Sequence, residues 1–275
     1  MSDIKCLICN SNTEYFFSKT YSEPPITEFM REIGDVHHHK CTNCGFVISK
    51  THSELDKDKW EKLNHDIHHY NEGYHPEELG NQPPYIQQAL MLSILAKNGI
   101  IKIENTLDYA AGYGTLSELL LKYFNIKIQI FDKYVEDKSL GKYLSGDEVT
   151  KYNTVINSAM FEHVLNRGDL NVVNDLVADD GCLIIHTVIC ENIPKDPNWF
   201  YVNPVHTAFH TNKSMNILMN QWGYESSIYC PTSKCWVLFK KEIDNLVEII
   251  DSINKEFITD FFYYKKGFVD YWRGF

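Results

Sequence analysis

The chain has 275 residues, 44% of them hydrophobic and 23% charged, enough for one substantial α/β core and a small appended module. Its formal net charge of −11 opposes the phosphate backbone of nucleic acid and favours small molecules over RNA or DNA as substrates. The opening MSDIKCLICN has no basic stretch leading into an apolar one, and nowhere is an apolar run long enough to span a membrane, so a cytoplasmic protein is expected.

Residues 1–52 hold few long periodic segments and are bracketed by two Cys-x-x-Cys pairs, which predicts a metal-held knot of short strands. Cys6 and Cys9, with Cys41 and Cys44, have the spacing that folds each pair into a knuckle and brings four thiolates around one zinc ion. Gly45 frees the turn after the second pair. Four thiolates close the coordination sphere, so the expected role of the zinc is structural. Cys182, Cys190, Cys230 and Cys235 are scattered, as small buried apolar side chains of a reducing compartment would be. His37, His38 and His39 lie in a predicted strand whose alternation sets His38 opposite its neighbours.

Residues 53–98 read as a helical linker and lid, polar and aromatic up to Pro84. His65, His68 and His69 fall at helical i, i+3 and i+4 positions, by default a surface helix. Pro84 to Lys97 has apolar residues at helical spacing and stops at Asn98-Gly99. Residues 99–240 then alternate. ENTLDYAAGYGT is strand, tight turn and helix start, SELLLKYF the helix, and IKIQIFD a second strand, together a βαβ unit. TVINSAM is a short strand, LNVVNDLVA a helix, and CLIIHTVI an almost wholly apolar strand in which His186 reads as a hydrogen-bonded core residue. About twenty residues separate Asp132 from TVINSAM, so one helix of the alternation is shortened or lost.

After a loop at 191–211, NKSMNILMNQWG forms a helix ending at Gly223, and YESSIYC with CWVLFKK forms a hairpin around Pro231-Thr232-Ser233. Residues 241–275 hold an amphipathic helix and an aromatic tail that fits either the sheet or another subunit. About six parallel strands with a terminal antiparallel hairpin predict an α/β, doubly wound, Rossmann-like sheet.

The most informative stretch is Asp108-Tyr109-Ala110-Ala111-Gly112-Tyr113-Gly114. Small residues at 110, 112 and 114 let backbone approach a ligand between a strand end and a helix N-terminus, where unpaired N–H groups point outward. Asp132 ends the next strand, placed to accept both ribose hydroxyl hydrogen bonds of an adenosyl ligand. A dinucleotide fingerprint requires a third glycine three residues on, and residue 117 is Ser.

This pattern resembles motif I of class I S-adenosylmethionine-dependent methyltransferases, with Ala110 in place of the usual first glycine. The run from Asn153 to Val164 resembles the family's fourth strand and Glu-His-Val element, with Asn153 where Asp is commoner, and Gly181 to Ile189 resembles its fifth strand. The resemblance covers roughly residues 85–240. Methyltransferases of nucleotide-linked sugars also carry small N-terminal zinc modules, and the first 240 residues resemble that set. It implies S-adenosylmethionine held by Asp108, Ala110, Gly112, Gly114 and Asp132, with Tyr70 or Tyr74 covering it.

The chain lacks the extra C-terminal domain of the sugar C-methyltransferases, which favours an O-methyl acceptor for surface polysaccharide; sugar C- or N-transfer, or RNA methylation using the zinc module, are the alternatives. A non-catalytic adenosyl-binding subunit is a third reading. Residues 1–50 contain five Lys/Arg and six Asp/Glu, not a basic RNA-binding face. The partners expected are therefore a sugar or nucleotide-sugar, with no nucleic acid and no membrane, and an oligomer is compatible.

Methyl transfer to a hydroxyl requires in-line positioning and a proton acceptor or a metal. His206 or His210 is the expected base, with Glu162 and His163 orienting the acceptor. The rival arrangement gathers His163, Glu191, His206 and His210 around a second divalent metal.

Overall fold

The computed structural model describes residues 4–70, 83–135 and 143–270. The chain folds into two compact units, neither of them one continuous stretch. The first comprises residues 1–82, 162–169 and 188–217, and the second 83–161, 170–187 and 218–275. These differ from the consecutive segments 1–52, 53–98, 99–240 and 241–275, because chain neighbours in sequence pair with different sheets.

In the first unit, β1 (Thr13–Lys19), β2 (Val36–Cys41) and β3 (Val47–Ser49) form an antiparallel meander. The sheet is continued by β9 (Ala208–Thr211), antiparallel to β3, and by the two-residue β8 (Ile189–Cys190), parallel to β9. Two short helices, α1 (Ile26–Met30) and α2 (Lys50–Ser53), precede α3 (Lys57–His68), whose first turn is capped by Asp56 accepting the Lys59 N–H at 2.9 Å. Trp60, Leu63 and Ile67 follow the helical period and bury one face of α3 against Met30, Val36 and Val205. A second cluster joins Phe16, Phe17 and Val47 to Tyr201 and Phe209.

The second unit is built on a seven-stranded sheet in the order β12-β10-β11-β7-β6-β4-β5. Its parallel part is β5 (Gln129–Phe131), β4 (Thr106–Tyr109), β6 (Tyr152–Ser158) and β7 (Val177–His186). Of the hairpin β10 (Ser226–Cys230) and β11 (Cys235–Phe239), β11 pairs antiparallel with β7, and β12 (Tyr263–Lys266) pairs antiparallel with β10 at the edge. Its helices are α4 (Tyr85–Lys97), α5 (Thr115–Phe124) and α8 (Leu246–Phe257), while α6 (Arg167–Asp175) and α7 (Asn212–Gln221) have residues in both units. Met91, Leu92 and Leu95 of α4, Leu116 and Leu120 of α5, and Ile250 and Ile253 of α8 pack with the sheet residues Ile130, Ile156, Ile184, Ile228 and Val237. Each such side chain withdrawn from water contributes about 1.5–3 kcal/mol.

This is the Rossmann-like, class I methyltransferase type of fold, a mostly parallel sheet closed by an antiparallel hairpin. One expectation is corrected: among the described residues the parallel strands number four rather than about six. The run CLIIHTVI also splits at Thr187, and its tail, β8, belongs to the other sheet. Of the two places open to the aromatic tail, its described part takes the sheet: Tyr263–Lys266 pairs with β10, and Trp236 Nε1 donates to the Val269 carbonyl at 2.9 Å. Between Asp132 and β6 the described residues hold no helix, only an isolated parallel bridge from Ile130 to Tyr143. No helix among the described residues is long and apolar enough to cross a membrane.

Candidate functional site

In the second unit, β4 delivers Asp108 to its carboxyl end, and the chain turns into α5 through three left-handed residues. Ala110 has φ +62°, Gly112 +52° and Gly114 +75°. A Cβ at Gly114 would stand 3.1 Å from Ile130 Cδ1, so glycine is needed there for space as well as for conformation. The turn is held by the Ala111 N–H donating to the Phe131 carbonyl at 3.1 Å and by the Tyr143 hydroxyl donating to the Gly112 carbonyl at 2.7 Å.

Asp132 follows β5 and faces this loop. Its Oδ2 accepts the Gly112 N–H at 2.9 Å, and its Oδ1 accepts the N–H groups of Tyr134 at 2.8 Å and Val135 at 3.2 Å. A carboxylate offers about four lone-pair positions, so beside these three bonds one remains for a ribose hydroxyl.

Asp108 is 2% exposed, and its Oδ1 has no hydrogen-bond partner among the described residues. Burial, reinforced by the nearby Asp132 charge, pushes its carboxyl up to about 8. At the end of the adjacent β6, Asn157 donates through Nδ2 to the Tyr109 carbonyl at 3.0 Å and leaves its buried Oδ1 without a partner. Two buried acceptors beside this loop fit a ligand carrying hydroxyls and positive charge. An adenosyl sulfonium donor has both.

Sequence reading named Asp108, Ala110, Gly112, Gly114 and Asp132, which the structure gathers at this crevice. It missed Asn157 and Tyr143. Asn157 lies in the quoted strand and marks its end, whereas nothing local signals that Tyr143 closes over Gly112. Tyr70 packs on Phe29 in the first unit, with ring centroids 6.0 Å apart. Tyr74 lies outside the described residues.

In the first unit, Cys6 and Cys44 Sγ atoms are 3.6 Å apart, Cys9 and Cys41 3.5 Å, and Cys9 and Cys44 3.7 Å. A zinc tetrahedron with Zn–S bonds of about 2.3 Å has edges of about 3.8 Å, so the four sulfurs fit a structural zinc site. Each knuckle ends in a left-handed residue, Asn10 at φ +58° and Gly45 at +75°. The N–H groups of Ile8, Asn43 and Cys44 point at ligand sulfurs at 3.4 Å. The hydrogen bond from the Cys44 thiol draws Cys6 down to about 5 and pushes Cys44 upward, which is one proton held between two close thiols. A bound dication would replace it.

The histidines sort themselves by burial. His38 is fully buried, its ring between Phe17 at 4.7 Å and Phe209 at 5.4 Å, whereas His37 is exposed, as alternation along β2 required. His65 and His69 stack on each other at 5.9 Å, on the exposed side of α3. His68 turns the other way and meets the ring of His163 at 4.9 Å. His186, in the second unit, was expected to be hydrogen-bonded; its Nδ1 instead has no partner among the described residues, and burial lowers it to about 4.

Glu162, His163 and His206 form one cluster, with a ligand atom from each within 4.8 Å of the others. Glu162 and His163 belong to a 3-10 turn, Phe161–His163, and the Glu162 carbonyl is tied to the Thr207 N–H at 2.7 Å. Asn203 Oδ1 accepts the N–H groups of Val205 and His206, both at 2.9 Å, and so sets the turn that presents His206. Burial lowers His206 to about 3 and, helped by His68 and His206, takes His163 well down, so both rings are neutral near pH 7.

Of the residues in the rival four-residue metal arrangement, only His163 and His206 fall in this cluster; Glu191 is exposed, and His210 packs on Phe46 at 5.0 Å within β9.

No protein-family model and no curated protein matches the chain. Among solved structures it is similar to 1,6-didemethyltoxoflavin-N1-methyltransferase of Burkholderia thailandensis, at 12% identity over 72% of this chain and 95% of that one, with a TM-score of 0.46. The magnesium protoporphyrin IX methyltransferase of Synechocystis PCC 6803 is similar at 14% identity over 67% and 96% of the two chains, TM-score 0.43. The plantazolicin methyltransferase BamL is similar at 12% identity over 70% and 94%, TM-score 0.44. The fold assignment rests on this chain's own strand order.

Proposed function

We propose that the protein is an S-adenosylmethionine-dependent O-methyltransferase acting on a sugar hydroxyl, with a nucleotide-activated sugar destined for surface polysaccharide as the acceptor. The observation that carries the cofactor is the crevice of Asp108, the left-handed loop from Ala110 to Gly114, and Asp132. In this reading Asp132 and the loop amides hold the adenosyl group, and the buried Asp108 carboxyl faces the cationic end of the donor. The bound donor supplies an electrophilic methyl group. The acceptor's proton must pass to a base as the new bond forms, the role expected of His206 or His210. The sugar acceptor is supported by the sequence resemblance, and the charge of −11 disfavours a nucleic-acid substrate.

The test is release of S-adenosylhomocysteine from S-adenosylmethionine in the presence of a panel of nucleotide-sugars. Methyl acceptance by structured RNA with none by the sugars would remove the sugar reading. Absence of any calorimetric binding of S-adenosylmethionine or S-adenosylhomocysteine would remove the enzyme reading itself.

A further inference from the structure

We infer that Glu162, His163 and His206 bind a divalent transition-metal ion, at a site separate from the four-cysteine knot. The donor set is two imidazoles and one carboxylate, with ligating atoms within 4.8 Å of one another. His163 Nδ1 lies 2.9 Å from the Val205 carbonyl and His206 Nδ1 2.8 Å from the Tyr201 carbonyl. A carbonyl only accepts, so each Nδ1 carries the hydrogen and each Nε2 keeps a lone pair. A second ring nitrogen fixed to a backbone carbonyl is the outer-sphere arrangement that orients imidazole ligands on metals and raises their basicity.

The rings are set at 79° to each other with centroids 4.9 Å apart, so they approach a common point from different directions instead of stacking face to face. Glu162, 3% exposed, supplies the negative charge that offsets part of a dication. Its backbone is fixed through Thr207, and that of His206 through Asn203, so the ligands sit on a braced frame.

Two nitrogens and one oxygen select Zn²⁺, Co²⁺, Mn²⁺ or Fe²⁺ over Ca²⁺ or Mg²⁺, and three protein ligands leave coordination positions open to an oxygen-bearing ligand. This differs from the closed cysteine site. Metal binding here does not depend on the methyl-transfer reading.

The experiment is a Co²⁺ titration of the full chain as purified, with zinc retained in the cysteine knot and loosely held metal removed by brief chelation. Visible absorption and calorimetry would report one additional equivalent, with weak ligand-field bands and no new thiolate charge-transfer band. Glu162→Gln, nearly isosteric, and His206→Gln are each expected to weaken it at least 10-fold, with far-ultraviolet circular dichroism unchanged. Absence of a second equivalent in the wild-type protein would overturn the inference. So would retention of full Co²⁺ affinity in both variants, or loss of the equivalent in His65→Gln/His69→Gln, which would assign the metal to the exposed pair on α3.

Discussion

Asp132 Oδ2 accepts the backbone N–H of Gly112 at 2.9 Å, so the carboxylate expected to bind a ribose also fixes the shape of the loop across the crevice. Asp132→Ala therefore removes two functions at once. The expected result is S-adenosylhomocysteine binding weaker by about 1–3 kcal/mol, roughly 10- to 100-fold, with a small loss of stability. Isothermal calorimetry on the variant checks it, and unchanged affinity would exclude this crevice as the donor site.

Asp108 sets up a pH dependence of unusual sign for a carboxylate. Its folded value, about 8, lies above the unfolded one, so its contribution to stability is complete below about pH 4 and is lost as pH rises through 8. Asp108→Asn should be more stable than wild type at pH 9 by roughly 3–5 kcal/mol, with the difference shrinking towards pH 4. Thermal melts across that range measure it. Parallel pH profiles for the two proteins would show that Asp108 is already ionised in the native state.

The left-handed backbone at Ala110 costs a side-chain-bearing residue about 1–2 kcal/mol, part of which a glycine returns through its freer unfolded chain. Ala110→Gly should thus stabilise by up to about 1 kcal/mol and keep donor binding. Ala110→Val, β-branched at the same φ, should destabilise by more than about 1 kcal/mol and weaken the donor. Urea midpoints for the pair give the comparison.

Acid should open the first unit through His38 and His52. Burial lowers them to about 3 and about 4, and a charge on either opposes the other. Because both folded values lie below the unfolded 6.5, their contribution is present above that pH and is lost as pH falls towards 3–4. By pH 4.5 each costs about 2–3 kcal/mol. His38→Leu, similar in volume, is expected to cost less than about 1.5 kcal/mol at pH 7 and to flatten the acid limb. A variant that tracks wild type down to pH 4 would remove His38 from the account.

Elemental analysis should find about one zinc in the cysteine knot per chain, and Cys41→Ser should unfold that knot. Its effect should travel. Thr211 Oγ1 donates to the Cys44 carbonyl at 2.6 Å and Lys213 Nζ to the Asn43 carbonyl at 2.6 Å. Hydrogen exchange should therefore show residues 207–213 losing protection together with residues 5–12 and 40–46. Retained protection at 207–213 in Cys41→Ser would break the proposed link.

What the sequence revealed follows from how local each signal is. The β4–loop–α5 turn, the α4 stop at Asn98-Gly99 and the cysteine knuckles are each specified within a dozen residues, and all are present. Sheet membership is not local. The apolar run CLIIHTVI carries no mark of where it changes sheets, and Tyr263–Lys266 gave no alternation strong enough to separate a strand from a tail. The histidine cluster joins residues about 40 positions apart, so no local signal separates His206 from His210 or shows that His68, read as a surface residue, turns towards His163.

All five residues of β10 are buried, and β12 occupies its outer side through four residue pairs, ending in Lys265 and Lys266. The two lysines engage Asp270 and Glu242, so the exposed rim of the sheet is lined with charge. Such a rim discourages strand addition from another molecule. Trimming the chain after α8 would bare an apolar strand with unpaired amides and carbonyls, and the remaining sheet would become prone to self-association.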